Sequence, residues 1–184
     1  NYSYDLKIKA AKLMEEGIEV LRKEYVDRNL NFGIDSVSFG SFLIGPSKSS
    51  ITTTRGSKDS KQTVLNPDFS AMIVQMLVEL EINSGDTIAL SYTGSYPGAN
   101  IAVLSALEIL GVSAIITSSC GSSEYGATNP NFNWIDIENF FNDQNFFSNR
   151  SSLGSIGGEL DLGLQLIPKG REICESSIYS SNVE

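Results

Sequence analysis

Histidine is absent from all 184 residues. That removes the Ser-His-Asp triad, the Cys-His dyad and imidazole-ligated metals from any chemistry this chain performs alone. Cysteine is nearly absent: Cys120 and Cys174 are the two present. They lie far apart and form no CxxC, which argues against a zinc site. Two free, partly buried thiols are the expected state, and a single disulfide is the alternative if the domain faces an oxidising compartment. No apolar run approaches the ~20 residues of a membrane span. Basic charge is also scarce. The formal net charge is -9, which disfavours a nucleic-acid partner, because such partners are bound through a basic surface. Neither a metal site nor a cofactor is expected.

What is present fits one α/β domain over residues 1–184. Apolar residues make up 41% of the chain, ordinary for a globular protein and too many for a disordered one. Residues 5–25 place Leu6, Ala10, Leu13, Met14, Ile18, Leu21 and Tyr25 at helical spacing. Gly17 interrupts that helix at a cost of roughly 1 kcal/mol against alanine. Residues 30–62 show little helical pattern. "SFGSFLIGP" and "SSITTT" read as short extended pieces, and "TRGSKDSKQT" reads as a polar loop. Asn66, Pro67 and Asp68 form a helix start, and the helix that follows is expected to bury Ile73, Met76, Leu77 and Leu80. Asn129 and Pro130 repeat the device before "NWIDIENFF". Pro168 opens a last short helix.

The strongest pattern lies at 86–121. "TIALSY" and "VSAIITSS" are apolar runs of strand length, and "IAVLSALEILG" between them is an apolar helix ended by Gly111. Two strands joined in this way should be parallel neighbours. The expected fold class is therefore α/β, with a parallel or mixed sheet flanked by helices in a Rossmann-like three-layer arrangement.

Ligands of open parallel sheets bind beyond the carboxyl ends of the strands. That edge should carry "TGSYPGAN" and "SSCGSSEYG". The first loop runs into a helix whose free N–H groups favour an anion. Thr93, Ser95 and Asn100 add polar groups, and Gly94 and Gly98 admit close backbone approach. The competing interpretation is that Ser95 or Thr93 caps the helix and the glycines make the turn. The loop is neither a Walker A sequence, a dinucleotide fingerprint nor a G-x-S-x-G elbow. Ser95 as a nucleophile would need lysine as its base. Segment 48–61 supplies Lys48, Arg55, Lys58 and Lys61 against Asp59 alone, a local excess of positive charge in an acidic chain. It reads either as a solvated loop or as a clamp for carboxylates and phosphates.

The ordered set "ITTT", "NPDF", "GSYPGAN", "SSCGSSEYGATNP" and "GGELDLGL" resembles the bacterial poly-γ-glutamate system protein family. The similarity runs from "AAKLMEEGIEVL" through "GSIGGELDLGL". The matching residues are Thr52, Thr53, Lys61, Gly94, Ser95, Pro97, Asn100, Ser119, Gly121 and Gly126. The resemblance implies a membrane-anchored protein with an extracytoplasmic soluble domain, part of a longer chain that extends past Glu184. It implies poly-γ-glutamate or its precursor as partner, together with other membrane proteins of the capsule system. It assigns no reaction.

Two functions are accordingly expected. The first is an accessory component of poly-γ-glutamate synthesis or export that binds an anionic γ-glutamyl or phosphorylated ligand. Its contacts would come from Thr53, Lys58, Gly94, Asn100, Ser119, Gly121 and Ser122. The second is a histidine-free serine amidase or transferase acting on γ-glutamyl bonds, with Ser95 as nucleophile and Lys61 as base. The glycine-rich segment 151–164 is expected to be a loop or lid over the strand-end cleft. Glu159 and Asp161 in it would offset the lysines or serve a divalent cation; the competing interpretation is a surface linker.

Overall fold

The computed structural model of the chain describes residues 2–30 and 39–181. Its helices are α1 (Tyr2–Asp27), α2 (Lys58–Thr63), α3 (Asp68–Glu79), α4 (Pro97–Leu110), α5 (Trp134–Asp143) and α6 (Pro168–Ser180). Short 3-10 turns occupy Ser41–Leu43 and Glu159–Asp161. Three strands, β1 (Thr87–Thr93), β2 (Ser113–Ser119) and β3 (Ser151–Ser155), form one sheet in the order β1-β2-β3. All pairings are parallel, with Thr87 opposite Ser113 and Thr93 opposite Ser119. The chain is thus α/β, a parallel sheet flanked by helices, consistent with a Rossmann-like three-layer fold. None of the described helices is long and apolar enough to cross a membrane.

The β1–α4–β2 unit follows from its sequence. β1 and β2 are short runs of apolar and β-branched residues, and α4 is apolar nearly all round because it is covered on several sides. Gly111 ends it in the left-handed conformation at φ 66°. Along β1, Ile88 and Leu90 point toward a cluster that contains Leu6, Ala10, Val74, Ala106 and Leu107 from α1, α3 and α4. Tyr92 and Ile116 continue that side into the larger core with Ile18, Leu21, Ile101 and Trp134. Strand residues alternate faces, and on the other side Thr87, Ala89 and Ser91 are exposed, as are Ile115 and Leu153.

α1 buries the stripe expected of it, with Ala10, Met14, Ile18 and Leu21 fully inaccessible and Leu13 half-buried. Met14, Ile18 and Leu21 each contribute about 1.5–3 kcal/mol of burial. Gly17 is buried too, facing the ring of Phe146, which a side chain there would crowd.

Elsewhere the structure departs from expectation. Residues 41–43 form a 3-10 turn rather than an extended piece, and in "SSITTT" only Thr52 makes a strand-like bridge, to Ser122. Residues 31–38 of that region lie outside the described residues. The polar loop "TRGSKDSKQT" contains α2, whose start is capped by Ser57 accepting the N–H of Ser60. In α3 the buried residues are Ser70 and Val74; Ile73 and Leu77 are half-buried, whereas Met76 and Leu80 are exposed. Ser70 turns inward because its hydroxyl donates to the Ala102 carbonyl of α4 at 2.9 Å. Asn129 does not open α5. Its side chain accepts the N–H of Asn131, and the helix begins five residues after it, at Trp134, where Asn133 and Asp136 form a capping box. The two cysteines are bonded to each other, with a Cα–Cα distance of 5.5 Å, tying the end of β2 to α6. The expectation of free thiols is corrected: both residues are fully buried and brought together by the packing of α6.

Candidate functional site

The carboxyl ends of β1 and β2 open into a cleft of about 490 Å³. Thr93 and Ser95 line it from the β1 side, and Ser119 and Gly121 from the β2 side. Thr53 and Thr54 close one wall, and Gly158, Glu159 and Gln165 another. The lining is rich in hydroxyl groups and includes one carboxylate. Its walls hold together through backbone bonds: Thr53 N–H to the Ser122 carbonyl at 2.8 Å, and Gly121 N–H to the Ile156 carbonyl at 2.8 Å. Gly121 is required by that close approach, since a Cβ there would sit 2.7 Å from the Ile156 oxygen.

The glycine-rich segment is divided between sheet and cleft. Residues 151–155 are β3, paired with β2, while Gly158 and Glu159 stand at the cleft. The Glu159 carboxylate accepts from Gln165 Nε2 at 2.9 Å, and that of Asp161 accepts the Gly157 N–H at 2.9 Å. Among the described residues, no group of three metal-ligating side chains converges there or elsewhere.

The sequence candidates separate into three groups. Thr53, Ser95, Ser119 and Gly121 line the cleft. Gly94, Asn100 and Ser122 are buried beneath it and hold the loops: Asn100 Nδ2 donates to the Thr93 carbonyl at 2.9 Å, and Ser122 Oγ donates to the Gly94 carbonyl at 2.9 Å. Lys58 is exposed on α2 and does not line the cleft. Lys48 and Arg55 are also exposed, so the positive segment does not close as a clamp. Nor do Thr93 and Ser95 cap α4. The Thr93 hydroxyl accepts the Ser95 N–H at 2.9 Å, and the helix start has no side-chain cap.

Lys61 is the exception among the cations. It is 2% exposed, and among the described residues no carboxylate pairs with it. Its Nζ lies 2.7 Å from Ser123 Oγ and 3.6 Å from the centre of the Tyr96 ring. Burial pushes the Lys61 ammonium down to about 8. The Ser95 hydroxyl meets Ser123 rather than Lys61, accepting its backbone N–H at 3.0 Å. Ser123 therefore joins the cleft-lining serine to the buried lysine. Ser123 and Tyr96 carry no sequence signal that sets them apart: the four serines of "SSCGSS" share one chemistry, and only the path of the loop decides which one reaches Lys61.

A second polar cluster lies under β2. Glu138 of α5 is 5% exposed; it accepts from Ser118, which also meets Ser151 and Trp134 Nε1. Burial raises the Glu138 carboxyl above its ordinary value, against the hydrogen bonds of Ser151 and Ser118 and the charge of Arg150.

Comparison with known protein families, curated proteins and solved structures finds no match for this chain.

Proposed function

We propose that this chain is an accessory, ligand-binding component of bacterial poly-γ-glutamate synthesis or export. Its strand-end cleft would hold an anionic γ-glutamyl or phosphorylated ligand. The observation that carries this reading is Lys61. A buried cation without a carboxylate partner is costly to maintain, and Lys61 stands behind the cleft against Ser123, whose N–H is held by the cleft-lining Ser95, so its field reaches the cleft through a medium of low dielectric. The hydroxyls of Thr53, Thr93, Ser95 and Ser119 supply the hydrogen bonds that an amide-rich, carboxylate-bearing chain requires. The resemblance of the "GSYPGAN" and "SSCGSSEYGATNP" loops to the capsule-system family supplies the biological context. The buried disulfide supports an extracytoplasmic site of action, because such bonds persist in oxidising compartments, and membrane anchoring belongs to the same proposal.

Titration calorimetry with short γ-glutamyl oligomers tests the reading. Saturable binding that weakens as salt rises is the expected result, since charge-driven binding is screened. No binding at millimolar ligand, or binding indifferent to salt, refutes it.

The lysine–serine contact favours a second reading, a histidine-free amidase or transferase on γ-glutamyl bonds. In the form that takes Ser95 as nucleophile, Lys61 would have to bond Ser95 directly, whereas the Ser95 hydroxyl is engaged with the N–H of Ser123.

A further inference from the structure

We propose that Ser123 is a covalent nucleophile, that Lys61 is its proton acceptor, and that the pair cleaves or transfers acyl groups of amides or esters presented in the strand-end cleft. This rests on the cleft being the ligand site and moves the chemistry from Ser95 to its neighbour. Three observations carry it. The Nζ–Oγ distance of 2.7 Å is that of a made hydrogen bond, within the reach a general base needs. The lysine is fully enclosed with no anion beside it: the groups facing its Nζ are the Ser123 hydroxyl and the Tyr96 ring, and the nearby Glu124 carboxylate is turned to the Gly56 N–H. Finally, the Ser123 backbone N–H is held by the Ser95 hydroxyl, which itself lines the cleft, so the nucleophile stands one hydrogen bond behind a cleft-lining residue.

The burial that lowers the lysine to about 8 leaves a useful fraction neutral near neutral pH. Neutral Lys61 Nζ takes the Ser123 hydroxyl proton as Oγ bonds to the carbonyl carbon. The tetrahedral adduct collapses, the C–N or C–O bond breaks, and the departing amine or alcohol takes that proton from Lys61. Water then gives a proton to Lys61 and attacks the acyl-serine ester. Collapse of this second adduct breaks the bond to Oγ, which leaves with the proton, freeing the carboxylic acid and restoring both residues. An amine in place of water gives transfer. Ser95 acts as a positioning residue.

The test uses a fluorophosphonate, which phosphonylates activated serines, followed by peptide mapping by mass spectrometry. The expected result is a single modified residue, Ser123. Its labelling rate should rise roughly tenfold per pH unit below the lysine value and level off above about 8. Lys61→Met should lower the rate at least ~100-fold, with circular dichroism and the intact disulfide mass confirming that the variant folds. The wild-type pH profile stands as evidence even if that variant does not fold. Labelling at Ser95, labelling independent of pH, or no labelling of the folded wild type overturns the proposal. Oligomer binding by calorimetry without labelling refutes the chemistry and leaves the binding reading intact. Absence of both refutes the two together.

Discussion

The Ser95 hydroxyl accepts the backbone N–H of Ser123 at 3.0 Å, joining the loop after β1 to the loop after β2. The bond is partly shielded from water, so its loss leaves an N–H without an equivalent partner. Ser95→Ala is expected to cost about 1–2 kcal/mol of stability. Thr93→Val, which removes the acceptor of the Ser95 N–H at an exposed position, should cost less than ~1 kcal/mol because water replaces the hydroxyl. Thermal unfolding of the two variants checks the order. Equal losses would mean that this bond adds no more to the joining of the two loops than an exposed one does, leaving Ser122 Oγ on the Gly94 carbonyl to hold them.

Cys120 and Cys174 close a loop with a sequence separation of 54. Restricting the unfolded chain by a loop of that length contributes about 4 kcal/mol in the chain-entropy treatment. The paired variant Cys120→Ser, Cys174→Ser should therefore unfold at markedly lower denaturant, and reductant should destabilise the wild type but not the variant. Thiol titration of unfolded, unreduced protein is expected to find no free sulfhydryl. Two titratable thiols in protein prepared under air would remove the argument for an oxidising compartment.

Gly170 and Gly17 both lie inside helices, where propensity alone favours alanine by roughly 1 kcal/mol. Their surroundings differ. A Cβ on Gly170 would fall 1.8 Å from the Ser50 carbonyl oxygen, a backbone atom that cannot give way without moving α6. At Gly17 it would meet the edge of the Phe146 ring at 3.1 Å, which can tilt. Gly170→Ala should thus destabilise by about 2 kcal/mol or more, and Gly17→Ala should change stability by less than ~1 kcal/mol. Denaturant titration of both variants decides it. A stabilised Gly170→Ala would mean that α6 does not pack against residue 50.

Much of the fold was legible because its elements repeat their period long enough to be read. α1 has 26 residues of helical spacing, and the parallel pair β1–β2 is announced by two apolar runs about one glycine-ended helix. α2, with six residues, is too short for a period to show, and its cap at Ser57 looks like any serine in a polar stretch. α3 carries apolar residues on more than one side. Periodicity alone therefore could not choose Val74 over Met76, and the choice is made by which side meets α1 and α4. The strand-end location of the cleft followed from topology. Burial of Lys61 did not, because nothing in "SKDSKQ" distinguishes the lysine that turns inward from the one that stays in water. The pairing of Cys120 with Cys174 depended on where α6 docks, information that lies in long-range packing and not in cysteine spacing.

Glu138 yields a pH dependence with a defined sign. Burial raises its carboxyl above the ordinary value of 4.5. The folded state therefore keeps the proton at pH values where the unfolded chain has released it. Its contribution to stability is fully present below that ordinary value and is lost as pH rises through the folded value. Asp136, also raised by burial, acts in the same direction. Glu138→Gln preserves the shape of the side chain and removes its charge, so the glutamine variant should be more stable than the wild type at pH 7 and show a flatter stability profile above pH 4.5. Near pH 4 the two should converge, because the wild-type carboxyl is then protonated in both states. Urea unfolding at intervals across that range measures the difference. A glutamine variant less stable than the wild type at pH 7 would show that the carboxylate, held by Ser118 and Ser151, gains more from those hydrogen bonds than it loses by burial.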